Sequence, residues 1–383
     1  FITLMMHGEL SGDGGKVIVA KAETEEFELK GYGRTKGEGA EDEREGKVTL
    51  SLEEAAVLLE SGKIVITREK EKGAALTLDE FFQHAMDILP NFGARYLTYK
   101  DLKERGYIVH TGGVDFWLYP RGVKRGEKPA RYFIRILSER DLLSVMDLEE
   151  LLSLAHNMRK EPIIAVVDDE SDVTYYEVKE VTFDAVEPRE VEHEEGTRDE
   201  RVKGTAFLFG DKVIVRDTDV AEHLYKSQFY GTLTKEKYLL LSLVEAAYVI
   251  KKGLLAMNFK QFTEYATSVE GDFLAKYAVY EDLREKGLII KTGFKFGSHF
   301  RVYKTINKKH STDLIQVLPG GYIFSMPELA RAVRLAHGVK KRMIFVYQTS
   351  EKTANKPAAH ASHPPSGTGA PLFRYVDIGR MKL

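Results

Sequence analysis

The chain has 383 residues, 43% hydrophobic and 30% charged, with a formal net charge of −3 and no cysteine. This predicts a globular protein of several domains, and the missing thiols exclude disulfides and thiolate zinc sites and fit a reducing, cytoplasmic compartment. No apolar run approaches the roughly 20 residues that span a bilayer, so no membrane partner is expected, and the opening Phe1-Ile-Thr-Leu-Met-Met6 is too short and too poor in basic residues for a signal peptide.

In chain order, Gly14-Gly-Lys-Val-Ile-Val19 reads as a turn followed by a strand. Ser51 then precedes an apolar helical run that stops at Gly62, which is the N-cap and C-cap pattern of a short helix. A second helix carries Tyr99-Lys-Asp-Leu-Lys-Glu-Arg-Gly106, a strand ends at Phe116-Trp-Leu-Tyr119, and a third helix closes on Leu154-Ala-His-Asn-Met-Arg-Lys160. The strand Ile163-Ile-Ala-Val-Val167 leads into an acidic turn containing Asp168, Asp169, Glu170 and Asp172. Residues 187–203 are acidic, contain Pro188 and read as a linker.

The series then starts again. Phe209-Gly-Asp-Lys-Val-Ile-Val215, Ser242 to Gly253, Tyr280-Glu-Asp-Leu-Arg-Glu-Lys-Gly287, Phe300-Arg-Val-Tyr303 and Leu335-Ala-His-Gly-Val-Lys-Lys341 echo the first set. This internal duplication predicts a mixed α+β and α/β fold. Each repeat is expected to hold a small N-terminal α+β unit, 1–92 and 204–270, and an α/β unit around a mixed central sheet, 93–186 and 271–383. After Gln348 the second repeat departs from the first: a Pro/Gly/Ser-rich tract to about residue 370 reads as a mobile loop, and a last strand ends at Ile378, just before Arg380.

The copies differ in their polar groups. The second has His310 followed by Ser311, where the first has Pro129 or Ala130. Residues 301–342 carry nine Lys or Arg against two Asp or Glu, which favours a phosphate-bearing partner, although a solvated basic face has the same composition. Ser325 and Glu328 form a capping pattern for a helix over 326–342. On its wheel Leu329, Ala332, Val333, Leu335, Ala336, Val339 and Met343 share one arc, with Arg334, His337 and Lys341 opposite. A hairpin can bring Tyr303 and His310 to one sheet edge. Tyr, His and Lys together offer proton transfer near neutrality and a fixed cation, a set that can cleave RNA without a metal. His310 suits the acid, Lys341 charge stabilisation, and Tyr303 a base or a positioning group. No metal-binding spacing is present: His360 and His363 read as loop residues, and the acidic turn lacks the EF-hand pattern. No cofactor is expected. A non-catalytic RNA-binding or assembly subunit is the rival reading, and the complete second set argues against it.

Across nearly its whole length the chain resembles the archaeal tRNA-splicing endonucleases of the two-repeat type. The resemblance is most specific at Tyr280-Glu-Asp-Leu-Arg-Glu-Lys-Gly287, the stretch from Lys291 to Tyr303, His310-Ser311, and Arg331 to Lys341. It implies a catalytic Tyr303, His310 and Lys341, and cleavage of precursor tRNA at a bulge–helix–bulge to leave a 2′,3′-cyclic phosphate and a 5′-hydroxyl. It also implies that Arg334 and Arg380 sandwich a flipped-out base. The acidic turn would dock into a basic cleft of a second copy and hold a homodimer. The basic loop with Lys124, Arg125 and Lys128 is either a further RNA contact or a solvated hairpin.

Overall fold

The computed structural model describes residues 5–24, 27, 30–33, 47–68, 74–123, 127–185, 204–303, 310–349 and 373–383. Lys124, Arg125, the linker at 187–203, and the Pro/Gly/Ser-rich tract from residue 350 with its His360 and His363 lie outside them. Among the described residues no helix is long and apolar enough to cross a membrane. The chain forms two compact units: Phe1–Lys179 with Phe324–Glu328 and Arg380–Leu383, and Glu180–Ile323 with Leu329–Gly379.

The first unit opens with β1 (Met6–Leu10), β2 (Lys16–Ala20), β3 (Lys47–Ser51), α1 (Leu52–Glu60), β4 (Ile64–Thr67), α2 (Leu78–Ile88) and α3 (Phe92–Glu104). Its sheet runs β3-β2-β1-β4, with β1 and β4 parallel. Ser51 caps α1 in a reciprocal box with Glu54, and Gly62 beyond the helix has φ 65°, the left-handed turn that suits glycine. Then come β5 (Val109–Thr111), β6 (Phe116–Leu118), β7 (Tyr132–Ser138), β8 (Leu142–Ser144), α4 (Val145–Met158), β9 (Glu161–Val167) and β10 (Val173–Val181). Strands β5, β6, β7, β9 and β10 lie side by side in that order. The β7–β9 pair is parallel and the other pairs are antiparallel, so the sheet is mixed. Six of the seven residues of β9 are buried, as a strand covered on both faces requires.

The second unit repeats this plan with β11 (Ala206–Phe209), β12 (Lys212–Val215), α5 (Thr218–Lys226), β13 (Thr232–Leu233), β14 (Leu239–Ser242), α6 (Leu243–Lys251), α7 (Phe259–Val269) and α8 (Phe273–Glu285). Ser242 and Glu245 repeat the capping box. Next follow β15 (Ile289–Thr292), β16 (Phe300–Tyr303), β17 (Asp313–Val317), β18 (Ile323–Ser325), α9 (Met326–Gly338), β19 (Arg342–Gln348) and β20 (Phe373–Met381). The order is β15-β16-β17-β19-β20, with β17 and β19 parallel. Tyr280 and Leu283 of α8 pack with Val302, Ile315 and Ile344 into the core beneath this sheet.

Two expectations need correction. Helix α9 stops at Gly338, and Lys340 takes φ 56°, so the chain reverses before residue 341. Val339, Lys341 and Met343 therefore leave the helical wheel, and Leu335 and Val339 are 49% and 41% exposed rather than core residues. The last strand also runs on to Met381, so Arg380 lies within β20.

Candidate active site

Strand pairing explains why residues far apart in sequence meet. Val302 of β16 lies opposite Asp313 of β17 in antiparallel register, and Asp313 lies beside Arg342 of β19 in parallel register. Tyr303, one step beyond Val302, thus leaves β16 at the sheet edge where β17 and β19 begin. Just outside that edge stand His310 and Ser311 on one segment and Lys341 on the other. The edge is tied by backbone bonds from Thr312 N–H to the Val302 carbonyl, 3.1 Å, and from Arg342 N–H to the Thr312 carbonyl, 3.2 Å.

His310, Ser311, His337, Lys340, Lys341 and Arg342 line an open cleft of about 910 Å³. The Lys341 ammonium donates to the Ser311 carbonyl at 2.5 Å and stands 5.6 Å from the centre of the Phe296 ring. Its backbone N–H donates to the Ala336 carbonyl at 2.9 Å, a bond made possible by the left-handed turn at Lys340. His310 is exposed to the cleft, and Tyr303 is half-buried with its ring 5.7 Å from the Arg301 guanidinium carbon. Tyr303 is not part of the cleft lining.

Asp313, 0% exposed, underlies this arrangement. Its carboxylate accepts from Arg342 Nε at 2.6 Å and from the Thr312 hydroxyl at 2.8 Å. That partner also raises the Arg342 pKa above its ordinary value. Sequence reading missed Asp313 and Arg342, because an acidic residue at the start of a strand carries no sign of being buried.

Two family models match the chain, each of them twice. The tRNA intron endonuclease catalytic C-terminal domain matches residues 92–175 and 273–355, and the N-terminal domain matches residues 6–82 and 204–263. The chain belongs to the tRNA intron endonuclease family. A tRNA-splicing endonuclease of Methanosarcina barkeri is 40% identical over 99% of this chain and 100% of its own length. One of Methanosarcina mazei is 38% identical over 99% of both chains, and one of Haloarcula marismortui 35% identical over 88% of this chain and 93% of its own. The chain is an endoribonuclease of this family.

Both copies match the family's catalytic domain, and the first preserves the lysine in detail. Lys160 donates to the Ala130 carbonyl at 2.5 Å and stands 5.6 Å from the Trp117 ring, behind a left-handed Arg159 with φ 52°. Ala130 therefore corresponds to Ser311, and Pro129 to His310. Proline carries no proton to transfer, so the first copy keeps the lysine and lacks an acid at this position.

The remaining expected site residues lie as follows. Arg334 is exposed on α9, three residues before His337, and Arg380 is exposed on β20. The acidic turn joins β9 to β10, closed by Asp168 N–H donating to the Asp172 carbonyl at 3.1 Å, with Glu170 and Asp172 N–H groups bonded to the Asp168 carboxylate. Asp169 forms a two-bond pair with Arg140 at 2.5 and 2.6 Å, which holds its carboxyl below the ordinary pKa. Lys128 is exposed, and Arg121 of the same loop stands over the Tyr107 ring at 5.7 Å.

Proposed function

We propose that the second unit cleaves precursor tRNA at bulge–helix–bulge junctions without a metal, leaving a 2′,3′-cyclic phosphate and a 5′-hydroxyl. The meeting of His310 and Lys341 in one cleft, with Tyr303 leaving the same sheet edge, carries this reading. The ribose 2′-hydroxyl attacks the adjacent phosphorus, the bond from phosphorus to the 5′-oxygen breaks, and negative charge gathers on the non-bridging oxygens. Lys341 offers three N–H donors, one of them held by the Ser311 carbonyl, so the ammonium is pre-positioned to meet that charge. His310 protonates the departing 5′-oxygen, a role suited to an imidazole, whose ring nitrogens can both carry and accept a proton. Tyr303 takes the 2′-proton or orients the 2′-hydroxyl.

Arg334 and Arg380 would sandwich an unpaired base, since guanidinium planes stack on bases by cation–π attraction. Lys124, Arg125 and Lys128 would add phosphate contacts. The acidic turn would join two copies into a homodimer with two cleavage sites.

Cleavage of a bulge–helix–bulge RNA in EDTA tests the chemistry. Wild type is expected to cut, and His310→Ala to cut about 100- to 10,000-fold more slowly, the usual worth of general acid–base catalysis. Equal rates would remove His310 as the acid, and a requirement for magnesium would overturn the mechanism.

A further inference from the structure

The second copy contains a small insertion beside the cleft. Four residues separate Thr111 from Phe116, whereas seven separate Thr292 from Phe300. The added residues form a 3-10 turn, Phe294–Phe296, between Gly293 and a left-handed Gly297 with φ 65°. Backbone bonds from Phe296 N–H to the Gly293 carbonyl, 2.7 Å, and from Gly297 N–H to the Phe294 carbonyl, 3.0 Å, close it. A side chain at Gly293 would stand 2.2 Å from the Ser298 hydroxyl, so the turn is held tightly. It also abuts α9, because a Cβ on Gly297 would lie 3.2 Å from Leu335 Cδ1.

Packing does not account for what this turn displays. Phe294 is 86% exposed, the most exposed large hydrophobic side chain among the described residues, and Lys295 beside it is exposed as well. Phe296 points the other way, toward the Lys341 ammonium at 5.6 Å and the Arg301 guanidinium at 5.8 Å. The first copy has Gly113, Val114 and Asp115 here, and its Asp115 is committed to Arg95 at 2.6 Å. Both copies place a ring beside this lysine, Trp117 in the first and Phe296 in the second, but among the described residues an outward aromatic ring with an adjacent cation occurs at this turn only in the copy with His310.

We propose that this turn is a platform for an unpaired nucleotide next to the cut site, with a base stacked on Phe294 and Lys295 at its phosphate. A flat aromatic face with a neighbouring cation is the recurring means of holding unpaired RNA, and the closed turn keeps the ordering cost of that contact low. The proposal rests on the reading of the His310 and Lys341 cleft as the RNA-cutting site.

Binding to an uncleavable RNA tests it, using the full chain, a bulge–helix–bulge RNA with a 2′-deoxy group at the cut site, and 2-aminopurine at each bulge position in turn. Phe294→Ala is expected to weaken binding about ten-fold, within the range for loss of one stacked base. Quenching should be lost at one bulge position, and Phe294→Trp should restore both signals. A fully paired RNA should bind all variants equally. Wild-type affinity and quenching in Phe294→Ala would overturn the platform. So would equal weakening for paired RNA, or a changed oligomeric size that marks Phe294 as a protein contact. Because no cutting is measured, this result stands apart from the His310→Ala test of the chemistry.

Discussion

At the scale of single residues, Asp313 lies beneath the groups that face the cleft and ties their segments together. The segments bearing Ser311 and Lys341 are joined through Thr312, Asp313 and Arg342, and Asp313 is the buried member. Asp313→Asn keeps the shape and removes the charge, while Arg342, with its side chain 41% exposed, retains solvent. A loss of about 1–3 kcal/mol is expected, the range for a buried hydrogen bond to a charged group. Denaturant titration measures it, and single-turnover cleavage by the folded variant should slow as the two segments loosen. Unchanged stability would show that the pair contributes nothing. Comparison of the two copies singled out His310, while Tyr303 and Lys341 recur in the first copy as Tyr119 and Lys160 and were proposed for their chemistry. Asp313 escaped, because only the pairing of β17 with β19 buries it against Arg342.

At the scale of elements, both copies end a helix on a left-handed residue that is not glycine, Arg159 with φ 52° and Lys340 with φ 56°. In each the turn directs the next residue, a lysine, toward a backbone carbonyl across the sheet edge. The helical wheel drawn through Lys341 fails for this reason: neither residue type announces the reversal, and the wheel assumes a continuous helix. The first copy is the clean place to test the strain, since Arg159 is exposed and remote in sequence from His310. Arg159→Gly is expected to stabilise the chain by about 1 kcal/mol, the cost of holding a non-glycine residue left-handed less the added freedom of the unfolded chain. Cleavage should be unaffected. A fall in the denaturation midpoint would show that Arg159 makes contacts worth more than its strain. The N-caps at Ser51 and Ser242, in contrast, were legible, because a Ser directly before an apolar helical run is a strong capping signal, and the structure adds Glu54 and Glu245 to complete each box.

At the scale of the whole molecule, the two copies carry different surfaces on the same plan. The first bears the turn of Asp168, Asp169, Glu170 and Asp172; the second bears His310 and the Phe294–Phe296 insertion. If the acidic turn joins two copies, replacing Asp168, Asp169 and Asp172 by Lys should convert a dimer to monomers in analytical ultracentrifugation. The exposed Asp169–Arg140 pair is no obstacle to such docking, since surface ion pairs contribute little and exchange readily. A dimer that survives the triple reversal refutes the docking role.

The sequence by itself determined the duplication and the family, and it proposed Tyr303, His310 and Lys341 as the reactive set, because each is written in local residue order and in the echo between copies. The tertiary structure alone decided that Pro129 stands where His310 does, that Asp313 is buried, and that Phe294 faces outward while Phe296 faces the lysine. These facts depend on strand register and on two backbone reversals, which bring together residues whose spacing in the chain gives no sign that they meet.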